Sequence, residues 1–478
     1  MRFTPAAGGW LGAGLMVALW LTPAPAEEPS TEQLQRELNA MKAQLEQLQE
    51  RMKTQQELID KLTSKPTPTS VTPPQPAVAI APPPEAQPPA PMAPLAGWSP
   101  TQPIQLYRGT RAYLNISFDA LVDAGWSTTS DVTELEPGDH DPNQRGFTVP
   151  NEEIFLDGAV DPYFKAVADI VFKLDEHNET DVELEEVYFL TTSLPWNLQG
   201  KGGQFFTEFG RINQQHPHAW DFVDQPLVIN RMFGPEGLRN PGARLSWLVP
   251  TPFYSELFAA IQDSQGNTAY SFRNTDADLF GYTPVDRSVR NLGDMLYTPR
   301  YVASFDLTDA QTLVVGVSGA FAPNDAGQHT RTQIYGGDLY WKWKPAWQSG
   351  GFPFLAFQVE ALGRRFEAGP SFTDENGMHV QTLPGRTFHD YGFYTQQLYG
   401  FTQRWVAGLR EEWVGGNRPT QNQGNRFRLS PDLTFYPSEF SKIRLQYNFD
   451  DQQQPPGDDS SVWLQFELLM GDHAAHKF

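Results

Sequence analysis

Within Ser461–Phe478, apolar side chains fall on alternate positions: Val462, Leu464, Phe466, Leu468 and Met470, with Phe478 on the same parity. Trp463, Gln465, Glu467 and Leu469 stand between them. A side-chain period of two is that of a β-strand, here with one oily and one mixed face. The same alternation recurs from residue 106 onward. It marks about sixteen segments, near 109–121, 152–161, 163–174, 182–191, 201–211, 241–249, 253–263, 299–308, 311–321, 332–344, 353–364, 389–400, 402–413, 426–436, 440–450 and 461–478. The clearest oily faces are Ala112/Leu114/Ile116/Phe118, Phe164/Ala166/Ala168/Ile170/Phe172, Tyr301/Ala303/Phe305/Leu307 and Ile443/Leu445/Tyr447/Phe449. The segments 182–191 and 389–400 alternate poorly. Residues 31–62 follow another period. Leu34, Leu38, Met41, Leu45, Leu48, Met52, Gln55, Ile59 and Leu62 are spaced alternately by four and three, the seam of a coiled coil.

The connections between the alternating segments are short and long in turn. Asp161-Pro162, Pro250-Thr251-Pro252, Asp309-Ala310 and Pro437-Ser438-Glu439 are tight, whereas 122–151, 212–240, 264–298 and 365–388 are long. Membrane barrels have short turns on the periplasmic side and long loops outside, and an even strand count returns the C-terminus to the side of the N-terminus. A soluble sandwich of two sheets has no reason to alternate its loops this way. The predicted fold is therefore all-β: an antiparallel transmembrane β-barrel of about 16 strands, preceded by a periplasmic α-helical coiled coil.

Four domains follow. Residues 1–26 read as a signal peptide, with Arg2, an apolar core from Trp10 to Leu21, and Ala24-Pro25-Ala26 as a cleavage site. Residues 27–64 carry the coiled coil, whose single oily stripe needs partners. Those partners are other copies of the chain, its own barrel, or another envelope component. Residues 65–100 hold 13 prolines and form an extended linker. Residues 101–478 are the barrel. A mean hydropathy of −0.47 agrees with this, because only alternate barrel residues must be oily. Aromatic residues at 13% are enough to supply interfacial girdles. The formal charge of −22 argues against nucleic acid as a partner. Cysteine is absent, so there is neither a disulfide framework nor a thiolate metal site.

The long alternating strand that runs toward a terminal Phe478 resembles the closing strand of bacterial outer-membrane barrels. Gly203-Gln204-Phe205-Phe206-Thr207-Glu208-Phe209-Gly210 resembles the G-Q-F-x-x-x-F-G signature of the phosphate-selective porin (O and P type) family. That resemblance implies a sixteen-stranded channel assembled as a homotrimer through barrel walls and coiled coil, set in outer-membrane lipid and lipopolysaccharide. The dense Lys clusters of such phosphate channels are missing here, since Lys is sparse throughout the barrel.

A channel selects by pore size and by the charges lining it. The connection Arg211–Asn240 is predicted to fold into the lumen as a constriction loop. Its candidate residues are Arg211, His216, His218, Asp221, Asp224, Arg231, Glu236 and Arg239. Its apolar Phe222, Val223, Leu227, Val228, Ile229, Met232 and Phe233 would pack against a wall. By parity, Arg404, Arg410, Arg426, Arg428, Lys442 and Arg444 form a basic stripe lining the pore, unless they are taken up by the inward acids Glu412, Asp432 and Asp450. The acidic runs Asp131–Asp141 and Asp175–Glu186 are expected at the rim, in the first two outer loops. His216 and His218 would lie in an outer loop and His473 and His476 at the periplasmic end, so each pair has too few ligands and no metal or cofactor is expected. No G-x-S-x-G or H-E-x-x-H motif occurs, and an enzyme is not expected. The expected function is diffusion of small hydrophilic solutes, anionic or polar, across the outer membrane. The competing functions are a barrel enzyme acting on lipid and a structural envelope tether.

Overall fold

A computed structural model of the chain describes residues 102–471 and 473, except 176, 275–278, 283, 286, 376–377, 417–423 and 454–456. The signal peptide, coiled coil and linker expected over residues 1–100 lie outside the described residues, as do His476 and Phe478. The barrel strands are β1 (Tyr113–Ser127), β2 (Gly146–Ala159), β3 (Phe164–Leu174), β4 (Thr180–Thr191), β5 (Leu198–Phe206), β6 (Arg239–Leu248), β7 (Tyr254–Gln262) and β8 (Leu296–Thr308). They continue with β9 (Gln311–Pro323), β10 (Arg331–Trp343), β11 (Phe354–Ala368), β12 (Arg386–Thr402), β13 (Trp405–Gly416), β14 (Arg426–Ser438), β15 (Ser441–Gln452) and β16 (Asp459–Met470). Each pairs antiparallel with the next, and β16 pairs with β1 from Ser461↔Ser127 to Met470↔Phe118. The result is a closed 16-stranded antiparallel barrel. A short strand, Ile104–Arg108, pairs with the start of β1, and a hairpin of Ser371–Glu375 on Met378–Leu383 extends the β11–β12 connection.

The alternation in the sequence becomes outward and inward. On β15, Ile443, Leu445, Tyr447 and Phe449 are exposed, while Lys442, Arg444, Gln446, Asn448 and Asp450 are buried. On β16 the outward set is Val462, Leu464, Phe466, Leu468 and Met470, and the inward set includes Trp463, Gln465 and Glu467. An apolar outer wall around a polar interior is the reverse of a soluble fold. It is stable only with lipid against it, and closure leaves no unpaired strand edge facing that lipid. Exposed aromatics mark both ends of the wall. Tyr163, Trp196, Trp247 and Phe253 stand at the short-turn end, and Trp126, Phe147 and Tyr391 at the long-loop end.

Each of the sixteen expected segments overlaps one barrel strand. At the long-loop end β1 continues to Ser127 and β2 begins at Gly146. The first long connection is therefore 128–145 rather than 122–151. The outward positions Val122, Ala124 and Trp126 keep the alternation to the end of β1, with Asp123 facing inward. Arg404 is a further correction. It was expected on the inner wall, but it lies exposed in the Gln403–Arg404 turn before β13, with φ at +71°.

Leu464 is half-exposed on the outer wall and pairs with Leu445 across β15 and β16. Leu464→Arg is expected to destabilise the barrel in lipid vesicles by about 2–4 kcal/mol, read as a shift in the unfolding midpoint in denaturant. Gln465→Arg, one residue away but facing the lumen, carries no lipid-exposure penalty. Equal effects of the two substitutions would reverse the assignment of faces.

Candidate functional site in the barrel lumen

The motif Gly203–Gly210 sits where β5 leaves the wall. Gly203 has φ +138°, and a Cβ there would lie 2.2 Å from the Val187 carbonyl oxygen, so only glycine fits. Beside it β4 bulges: Asp169 on β3 faces Glu186, whereas Ile170 faces Leu184. The extra residue turns Glu185 and its neighbour Glu186 into the lumen together, and both are buried. The Gln204 amide donates to the carbonyls of Leu184 (2.7 Å) and Glu185 (3.2 Å), satisfying acceptors that the bulge removes from the ladder. The Phe206 N–H donates to the Glu186 carboxylate at 2.8 Å. Gly210, at φ +59°, passes so close to Glu360 on β11 that a side chain would collide with it.

From there residues 207–238 cross the lumen and return to β6. Phe209, Ile212, Trp220, Val228, Ile229, Met232 and Phe233 are all buried, in one cluster with Ala320, Ile334, Leu362 and Tyr394 from the wall. The helix α1 (Leu227–Phe233) packs on β11, β12 and β13. The loop thus folds inward, as its apolar residues predicted.

Its anchor is Asp224. The carboxylate accepts from Arg410 (2.5 Å), Arg428 (2.7 Å), Gln446 (2.7 Å) and Asn448 (3.0 Å), on β13, β14 and β15. Burial alone would raise this carboxyl, but the two guanidinium groups outweigh it and hold it at about 2, below the usual 3.8. The wall also grips the loop backbone. Lys442 donates to the His218 carbonyl at 2.9 Å, Arg444 to that of Trp220 at 2.9 Å, and Arg410 to that of Asp224 at 2.6 Å. Gln446 accepts from the Val223 N–H, and Glu412 from the Leu227 N–H, each at 2.7 Å.

The predicted basic residues therefore come together, Arg404 excepted, but they are covered rather than open. Arg410, Arg426, Arg428, Lys442 and Arg444 are all buried. Arg426 bonds Asp450 at 2.7 Å and the Leu135 carbonyl of the first loop. Arg428 shares Asp450, and Lys442 pairs with Glu467. The other loop candidates are also engaged. Arg211 stacks over Tyr340 at 4.2 Å and donates to Gln358, and Arg231 bonds Glu136 at 2.8 Å. Glu236 meets Arg239 at 3.1 Å and Lys173 at 3.5 Å. Asp221 borders a cavity of about 180 Å³ beneath the loop, with His218, Tyr340, Lys342, Tyr436 and Lys442.

Two features were not foreseen. Glu185 and Glu186, expected at a solvated rim, belong to an acidic quadrant of the lumen formed with Asp119, Asp123, Glu153 and Asp169 from β1, β2 and β3. Parity could have found the strand members, since Asp119 and Asp169 alternate with oily Phe118 and Ile170. The bulge could not be read. The histidines expected at opposite ends also converge. The His473 ring lies 5.2 Å from that of His218 and 6.0 Å from that of His216. The chain turns inward past Gly471, whose backbone approaches Ser117, while the loop descends to the same level.

No family model matches the chain. Over 358 residues it is 31% identical to a protein of Aquifex aeolicus (strain VF5) described as uncharacterized, covering 70% of this chain and 71% of that one. Among solved structures it is similar to an anion-selective porin from Comamonas acidovorans, at 8% identity and TM-score 0.46, over 75% of this chain and 100% of that one. It is also similar to the outer membrane channel DcaP of Acinetobacter baumannii, at 12% identity and TM-score 0.49, over 76% and 99%. A third is OmpF of Salmonella typhi in complex with daunomycin, at 11% identity and TM-score 0.43, over 76% and 100%.

Asp224→Ala leaves Arg410 and Arg428 buried without their shared partner, which costs about 3 kcal/mol and frees the loop from the far wall. Single-channel conductance is expected to rise, and the loop to become cleavable by added protease. The Asp224 carboxyl is held down at about 2, so its anchoring is complete above its unfolded value of 3.8 and is lost as pH falls through about 2. Conductance in the wild type should stay level from neutral pH to about 4 and change only below that. A step near neutral pH would point to another anchor.

Proposed function

The chain belongs to the family of the Aquifex aeolicus protein, and we propose that it is an outer-membrane channel passing small hydrophilic solutes, polar or anionic, by diffusion. One observation carries this reading. A closed barrel, apolar outside and polar within, folds its long loop 207–238 into its own lumen instead of outward. A loop so placed narrows a passage and puts fixed charges where water is scarce, which is how a pore selects.

The basic wall is consumed in holding the loop, so selectivity rests on the groups facing the cavity below it. Lys342 lines that cavity and Arg211 lies beside it over Tyr340. Among the described residues neither forms an ion pair with a carboxylate, and their charge outweighs that of Asp221. This supports a modest preference for anions. The heptad seam of residues 31–62 supports self-association, and the resemblance to the phosphate-selective porins implies that the assembly is a homotrimer.

In planar bilayers the protein should conduct, with a reversal potential on the anion side in a salt gradient. Replacing Lys342 and Arg211 with Gln should move it toward the cation side, whereas Arg404→Gln, in an exposed turn, should leave it unchanged. Absence of conductance would favour the enzyme or tether functions, and strong cation selectivity in the wild type would remove the anionic part of the proposal. Light scattering in detergent should give three chains per particle, and fewer after deletion of residues 27–64 if the coil assists assembly.

A further inference from the structure

At the foot of the lumen loop, three imidazoles meet the acidic quadrant. We propose that His216, His218, His473, Glu153, Asp169 and Glu185 form a binding site for a divalent transition-metal ion of the zinc class.

The spacing is that of ligands around an ion. His216 Nδ1 lies 2.8 Å from Glu185 Oε2, 3.0 Å from Asp169 Oδ2 and 3.9 Å from Glu153 Oε2. His218 Nδ1 lies 3.1 Å from Glu153 Oε2, and His473 Nε2 lies 3.2 Å from Glu153 Oε1. Two atoms each about 2.0–2.2 Å from a tetrahedral zinc stand roughly 3.3 Å apart. Glu153 belongs to both histidine groups, so its carboxylate links a His216 side and a His218/His473 side.

Hydrogen bonding accounts for only part of the arrangement, as in the contact of His218 Nδ1 with Glu153 Oε2. Asp169 is fully buried, and neither of its carboxylate oxygens makes a hydrogen bond among the described residues; Glu185, equally buried, stands between His216 and His140, whose Nε2 lies 3.1 Å from Glu185 Oε1. His216 Nδ1 makes no hydrogen bond either, although it sits between two carboxylates. A single ring nitrogen carries at most one proton, too little to satisfy two buried carboxylates. The other nitrogen has a partner outside the cluster: His216 Nε2 meets Glu186 Oε2 at 3.1 Å. A carboxylate accepting the Nε2 proton fixes the tautomer and turns the Nδ1 lone pair into the cluster, which is how metal-bound histidines are oriented. The β4 bulge is what supplies both roles from adjacent residues, Glu185 to the site and Glu186 to the ring behind it.

Charge points the same way. Among the described residues no Lys or Arg pairs with Glu153 or Asp169, which have only imidazoles as partners, while Glu185 has Arg239 Nη1 at 3.9 Å; buried carboxylates need a cation. The neighbouring set Asp139, His140, Glu183 and Glu236 is different, because Lys173 and Arg239 already lie among its carboxylates. Three imidazoles with carboxylates suit zinc and its neighbours rather than calcium or magnesium.

The test is metal content, which does not depend on conductance and so stands or falls apart from the channel reading. Full-length protein in detergent is stripped with EDTA, dialysed against Zn²⁺ with excess Mg²⁺, washed, and analysed for bound zinc. About one ion per chain or more is expected. The pair His216→Ala and His218→Ala should lower zinc affinity at least about tenfold. His473→Ala should weaken it, and His329→Ala, in an exposed turn, should not change it. A heat-dependent shift on denaturing gels checks that each variant is still a barrel. Should the double variant fail that check, Glu153→Gln and the visible absorption of Co²⁺ bound to the wild type decide instead. Wild-type protein that retains no zinc, or a folded double variant that retains it undiminished, overturns the site.

Discussion

The pairing of Asp459–Met470 with Tyr113–Ser127 is the contact on which the rest of the molecule depends. In an apolar surround no water is available to satisfy backbone N–H and C=O groups, so a sheet survives there only if it has no edge. Closing the ring between the first and last strands removes the edge. It also fixes which parity faces out, and a slip of one residue would send Lys442 and Arg444 into lipid and Leu445 into the lumen. That so many charged side chains can be buried here follows from this inversion of inside and outside.

Once closed, the lumen is crowded with ionised groups that must find partners. The far wall offers Arg410, Arg428, Lys442 and Arg444, and the loop brings one carboxylate and several carbonyls to them. Asp224, with four donors, is the point where three strands and the loop are tied. The hydrophobic cluster around Phe209, Met232 and Phe233 keeps water from competing for those bonds, and the bonds keep the cluster against the wall. The two kinds of interaction support each other, so the loop is part of the core and not an ornament on it.

The acidic quadrant follows a different logic. There the wall has surplus carboxylates, and the loop and the C-terminal segment contribute imidazoles rather than guanidinium groups. One chain thus holds its inner loop at two places by two chemistries, guanidinium pairing on β13–β15 and histidine–carboxylate contacts on β2–β4.

Periodicity, with the alternation of short and long connections, determined the barrel, its roughly sixteen strands and the parity of the lipid face. These follow from a local rule, since each strand shows its outer face in its own alternate residues, and Val462 to Met470 need no distant partner to be read. The sequence also carried the basic residues of β13, β14 and β15, with the inward acids Glu412, Asp432 and Asp450 beside them. Where local signal ran out, the reading failed. Arg404 has the right parity but lies in a turn, because two residues of tight connection replaced two of strand. Glu185 and Glu186 looked like a rim, because a bulge is set by the register of two strands and not by either one. His473 and His216 are far apart in sequence, and only closure of the ring and the path of the loop bring them within reach. The tertiary structure alone decided what the basic wall does: five cations that could have lined an open pore are instead spent on holding a loop, because the loop delivers its carboxylate and carbonyls to where they stand.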